Sequence, residues 1–91
     1  MPWLRSFDRD DDNVAHIARH DVSPGDVEEM LLSDPVIRRG PDGRYLAYGR
    51  TQNDRMLFAV YVRRPRGRVR VLTARDVIER ERRFYRRTRR E

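Results

Sequence analysis

The sequence predicts an α+β fold with two N-terminal helices, a three- to four-stranded antiparallel sheet and a C-terminal helix. Apolar residues recur at helical spacing before Asp34, at a period of two after Gly43, and at helical spacing again after Thr73. The connections between the strand-like runs are short and rich in turn residues, which implies an antiparallel meander. A chain of 91 residues is expected to form one domain, residues 1–91.

Residues 1–9 lack a regular pattern, with Trp3, Leu4 and Phe7 as candidate anchors. Asp10-Asp11-Asp12 opens the first helix, where carboxylates favour the positive dipole end. Val14, Ile17 and Ala18 form its apolar stripe, and Arg19 and His20 lie near its C-terminal end. Asp21 then occupies a position that often needs a positive φ, which Asp tolerates. Ser23 caps the second helix, with Pro24 at its first position and Asp26 three residues beyond the cap. Val22 and Val27 have the spacing of a hydrophobic staple, and Val27, Met30 and Leu31 form the buried stripe. Asp34-Pro35 ends that helix, because the residue before proline avoids the α region. After Gly40-Pro41-Asp42-Gly43, Arg44 to Arg50 reads as one strand, Met56 to Val62 as a central strand and Gly67 to Thr73 as a third. Thr73 is expected to cap the last helix, with Asp76 three residues on. Val77, Ile78, Glu81, Phe84 and Tyr85 share one face of it; Arg80, Arg82, Arg83, Arg86 and Arg87 cover the other.

Charge narrows the function. All 21 basic residues are arginine, and the net charge is +6. Residues 1–62 carry 8 Arg against 11 acidic residues, whereas residues 63–91 carry 13 Arg against 4. One end of the molecule therefore attracts polyanions such as RNA or DNA, or an acidic protein. With 37% hydrophobic and 40% charged residues, a large enzyme pocket walled off from water is not expected. The chain lacks cysteine, which excludes disulfides and thiolate metal sites. It contains no Walker loop, dinucleotide turn or nucleophile elbow. No run is long and apolar enough to cross a bilayer, so no membrane association and a cytoplasmic location are expected.

Glu81 interrupts an apolar helix face, where an unpaired carboxylate would cost several kcal/mol. Arg75, Arg70 or a tyrosine hydroxyl is the expected partner, in either a structural ion pair or a site. Arg68 and Arg70 alternate with Val69 and Val71 and so share a strand face, as do Arg44, Leu46, Tyr48 and Arg50. Such a surface could bind phosphates and stack bases, or be a solvated face. His16 and His20 have i, i+4 metal spacing but no third-ligand motif, so neither a metal nor another cofactor is expected. His20 could serve as acid, base or phosphate ligand, or simply end its helix.

These segments resemble a known family. Asn13-Val14-Ala15-His16-Ile17-Ala18-Arg19-His20-Asp21-Val22-Ser23-Pro24 is similar to the family pattern N…H…(K/R)HGVS, with Asp21 where the family has glycine. Arg44-Tyr45-Leu46-Ala47-Tyr48-Gly49-Arg50-Thr51 resembles RFLALGRS. Arg68-Val69-Arg70-Val71-Leu72-Thr73-Ala74-Arg75 resembles RIRIISAR, and Glu81 and Tyr85 follow at the family's E…Y spacing. Over residues 10–86 the chain thus resembles the BrnT toxins of type II toxin–antitoxin systems.

The resemblance implies a RelE-like fold, with helices on one face of an antiparallel sheet. It also implies a bacterial endoribonuclease that arrests growth by cutting RNA without a metal. The implied partner is a BrnA-like ribbon-helix-helix antitoxin, and DNA is reached only through the antitoxin complex. The residues carried over are His20, Arg44, Arg70, Arg75, Glu81 and Tyr85. In metal-free cleavage Arg70 and Arg75 suit the phosphate, Glu81 or His20 the base, and Tyr85 or His20 the acid.

Overall fold

A computed structural model describes residues 3–89. In chain order the elements are β1 (Ser6–Phe7), α1 (Asp11–Ala18), α2 (Pro24–Leu32), β2 (Val36–Arg39), β3 (Arg44–Arg50), β4 (Met56–Arg64), β5 (Arg68–Asp76) and α3 (Glu79–Arg89). The α+β architecture matches the sequence-based expectation. The sheet, however, has five strands in the order β1-β5-β4-β3-β2 and is mixed, because β1 runs parallel to β5.

Local chemistry explains both N-terminal helices. Asp10 caps α1 by accepting from the Asn13 amide, and the Asn13 side chain accepts from the Asp10 amide. The Asn13 side-chain amide also donates to the Asp8 and Val71 carbonyls, which ties α1 to β5. Asp21 takes the expected left-handed conformation, with φ of 58°. Ser23 and Asp26 form the reciprocal capping pair at α2. Val22 and Val27 are both buried, and Met30 and Leu31 are fully buried.

The sheet separates two apolar layers. Ile17, Val27, Met30 and Leu31 of the helical layer pack with Ala47, Leu57, Ala59, Tyr61, Val69 and Val71 on one face. The alternate residues, Val36, Tyr48 and Met56, pack with Tyr85 of α3 on the other. The helices therefore lie on both faces, not on one. The close fit of α2 on β3 needs Gly49, where a Cβ would lie 3.0 Å from Met30.

Two differences from the sequence reading have clear causes. Strand β5 continues through Asp76, so Thr73 does not cap a helix. Thr73 to Asp76 pair with Val60 back to Leu57, and Ala74 is fully buried; ladder bonds and burial together outweigh a local capping pattern. Strands β1 and β2 are too short to be recognised from periodicity. They exist because each completes an edge: β2 pairs with β3 from Val36–Tyr48 to Arg39–Tyr45, and β1 pairs with β5 at Ser6–Arg68 and Phe7–Val69.

The N-terminal segment lies directly against the β4–β5 turn. The Arg5 amide donates to the Gly67 carbonyl at 2.7 Å. Gly67 has φ of +71°, and a Cβ there would lie 2.5 Å from the Trp3 carbonyl. Gly67→Ala combines a left-handed penalty with a backbone clash and is expected to cost about 2–4 kcal/mol. Gly25→Ala, with only Ser23 Oγ nearby at 3.8 Å, is expected to be neutral or stabilising. Urea unfolding of both variants checks this; a parental midpoint for Gly67→Ala would contradict it.

Candidate active site

Helix α3 leaves β5 through Val77 and Ile78 and crosses the sheet above β3 and β2. Phe84 packs edge-on against Tyr48 at 5.1 Å, and Tyr48 in turn packs against Phe58 at 5.2 Å. Tyr85 is buried beside them. Glu81 occupies the third position of α3 and accepts from the Ile78 amide at 3.0 Å, the reciprocal half of a capping box.

The same carboxylate grips Arg75. The Arg75 guanidinium donates to Glu81 Oε1 at 2.8 Å and to Oε2 at 2.9 Å. It also donates to the Asp76 carbonyl at 3.0 Å and lies over the Phe58 ring at 4.4 Å. Of the partners the sequence left open, Arg75 is the one engaged. The Glu81 side chain is 13% exposed and that of Arg75 is 34% exposed. Burial works against ionisation of Glu81. The Arg75 hydrogen bonds, the Ile78 amide and the charges of Arg75 and Arg80 outweigh it, and they hold the carboxyl below its ordinary range. The carboxylate correspondingly raises the Arg75 pKa.

Glu81 also lines an open cleft of about 320 Å³ between α3 and β2. Its other walls are Arg38, Tyr48, Arg80, Phe84 and Arg87. Arg80, Phe84 and Arg87 stand at i, i+4 and i+7 on α3 and so share one stripe. Arg38 reaches across from β2, 4.8 Å from the centre of the Phe84 ring. Among the described residues Arg38, Arg80 and Arg87 form no ion pair. The cleft thus combines three arginines that have no ion pair among the described residues, the Glu81 carboxylate, an aromatic wall and the fixed guanidinium of Arg75 behind Glu81. Such a set can hold a phosphate with paired hydrogen bonds.

The remaining sequence candidates lie elsewhere. Tyr48 is only 5% exposed under α3, which removes it from any open tyrosine surface. Tyr85 is buried, with the Arg50 guanidinium 5.7 Å from its ring centre. Arg50 itself pairs with Asp54 at 3.2 Å. Arg70 is bound by Asp10 at 2.5 Å, and Asp8 lies 3.8 Å from Arg68 and 3.9 Å from Arg64. Arg44 is exposed at the start of β3. His20 follows α1, a helix of the opposite face, and its ring meets His16 at 6.4 Å. Among the described residues no three His, Cys, Asp or Glu side chains gather where a metal could be held, and no helix is long and apolar enough to cross a membrane.

The Arg75–Glu81 geometry sets a pH dependence. Glu81 ionises at lower pH in the folded chain than in the unfolded one. Its contribution is therefore present above the ordinary glutamate value and is lost as pH falls through the folded value. Breaking a fully buried pair costs about 3–5 kcal/mol. The partial exposure of Arg75 lowers the expectation for Glu81→Gln at pH 7 to about 1–3 kcal/mol. Melting curves from pH 7 to pH 3 are expected to converge for parent and variant; a constant gap would contradict the linkage.

No protein-family model matches this sequence, and no curated protein matches it. Among solved structures, the crystal structure of the Brucella abortus ribonuclease toxin BrnT matches with a TM-score of 0.67. The match covers 81% of this chain and 97% of that one at 16% identity. The chain is therefore similar in fold to the BrnT ribonuclease toxin, the family that its sequence resembles.

Proposed function

We propose that the protein is a metal-independent RNA endonuclease toxin and that the α3 cleft receives the scissile phosphate. The observation that carries this is Arg75, locked by Glu81 and Phe58 beside a cleft whose own arginines form no ion pair among the described residues. The fold it shares with a ribonuclease toxin supports the same reading. A clamped guanidinium needs little reorganisation as negative charge builds on a pentacoordinate phosphate. Glu81 then acts as a positioning residue: a carboxyl held below its ordinary range is a weak proton acceptor near neutral pH. Arg38, Arg80 and Arg87 supply further charge for the backbone, and Phe84 a surface for a base. On this reading the chain acts in the bacterial cytoplasm. It is neutralised there by an antitoxin of the BrnA-like ribbon-helix-helix type and meets DNA only in that complex.

One observation favours a second reading, a catalytically silent basic binding protein. Glu81 is committed to Arg75 and Ile78, and neither Tyr85 nor His20 lines the cleft.

Expression alone in a bacterial host separates the two. The toxin reading expects growth arrest and fragmented cellular RNA. Arg75→Lys keeps a charge beside Glu81 but loses the planar fork. It is expected to melt within about 5 °C of the parent and to cleave RNA ~10²-fold more slowly. Normal growth with intact RNA and soluble parent protein would contradict the toxin reading and leave the binding protein.

A further inference from the structure

A second cluster of arginines and aromatic rings lies on the α1/α2 face, at the end of the sheet carrying the β2–β3 and β4–β5 turns. Arg39, Tyr45 and Tyr61 are directly paired across β2, β3 and β4. The Tyr45 and Tyr61 rings stack at 5.3 Å and 15°, and the Arg39 guanidinium lies 5.8 Å from the centre of the Tyr45 ring. Arg63 is two residues beyond Tyr61 and projects to the same face of β4. Its guanidinium sits 3.8 Å from the centre of the Trp3 ring. Burial raises the pKa of the Tyr61 hydroxyl, with Tyr45 adding to the effect and the charge of Arg63 opposing it.

Among the described residues, the two arginines of this row, Arg39 and Arg63, have no carboxylate partner, and both are exposed. Nearby Arg64 and Arg68, in contrast, face Asp8. Tyr45 and Trp3 are half-buried, each packed against the core and close to a guanidinium. Guanidinium planes and aromatic rings are the two surfaces on which unpaired bases stack, and unpaired arginines attract the phosphates between them.

We propose that this row is a second binding site for single-stranded RNA, separate from the α3 cleft, and that it grips the strand away from the scissile phosphate. The proposal extends the ribonuclease reading, since one strand would occupy both sites. Two strand spacings of about 4.8 Å separate Arg39 on β2 from Tyr61 on β4, and Trp3 extends the row beyond Arg63.

Fluorescence anisotropy with a labelled 12-nucleotide 2′-O-methyl RNA tests this, because a strand lacking free 2′-hydroxyls measures binding whether or not the protein cleaves. Arg39→Gln/Arg63→Gln is expected to weaken binding ~10-fold and to lower the salt slope by about 1.4, for two phosphate contacts. Trp3→Leu keeps the charge and is expected to weaken binding ~10-fold at an unchanged slope. A dinucleotide that fills only the cleft is expected to bind all three proteins equally. Parental affinity for the 12-mer in the double variant would overturn the proposal, and so would its binding the 12-mer normally while losing affinity for a co-purifying acidic protein. A parent that binds the 12-mer through this row yet leaves natural RNA intact would overturn the ribonuclease reading and sustain the second site.

Discussion

The bidentate pair between Arg75 and Glu81 joins the two halves of the architecture. Arg75 belongs to the last strand and Glu81 to the first turn of the last helix. Glu81 also closes the turn at Ile78, so one carboxylate fixes both the start of α3 and its contact with the sheet. The cleft depends on this arrangement. If α3 left the sheet at another angle, Arg80, Phe84 and Arg87 would no longer face Arg38 across it. The pair thus has a structural role and, on the proposed reading, a functional consequence, and the two need not compete. A residue can be indispensable to a site by holding another residue still.

The distribution of unpaired charge is more informative than the net charge. The chain has an excess of arginine, but several of those arginines are already neutralised. Asp8 and Asp10 lie along the outer side of β5 and face Arg64, Arg68 and Arg70. Arg55 bonds to Asp76 and the Asp21 carbonyl at the far end of the same strand. Among the described residues, arginines without an ion pair include Arg38, Arg80 and Arg87 in the α3 cleft and Arg39 and Arg63 along the row, alongside others such as Arg19, Arg83 and Arg86 elsewhere on the surface. The cleft and the row both include aromatic rings. Arginine beside a partly exposed ring suits a flexible polyanion carrying bases better than it suits a simple anion.

Much of this was legible in the sequence wherever the determinants are local. Ser23 with Asp26, and the positive φ at Asp21, depend on a few neighbouring residues. The long strands β3 and β4 announce themselves through period and turn chemistry. Strands of two to four residues such as β1 and β2 do not, because their conformation is imposed by the partner they pair with. Thr73-Ala74-Arg75-Asp76 misled for the same reason: its capping pattern is genuine, but the ladder to β4 prevails. Glu81 was visible as a charge on an apolar face. Its partner, however, required knowledge of how α3 crosses the sheet. The spacing of Arg80, Phe84 and Arg87 carried the signal for the cleft, but among so many arginines it did not stand out. Arg38 became recognisable only once β2 was placed. His20 could not be assigned to a face, since nothing in its own segment says which side of the sheet α1 covers.

The most direct measurement is nitrogen-15 NMR of the arginine Nε–Hε signals during titration with a 2′-O-methyl dinucleotide. A phosphate bound in the α3 cleft is expected to shift the signals of Arg75, Arg80 and Arg87 together and saturably, with Arg38 following. Signals of Arg68 and Arg70, already held by Asp8 and Asp10, are expected to stay in place. Movement confined to Arg68 and Arg70, or to residues around His20, with the cleft arginines unchanged, would contradict the assignment of the cleft as the phosphate site.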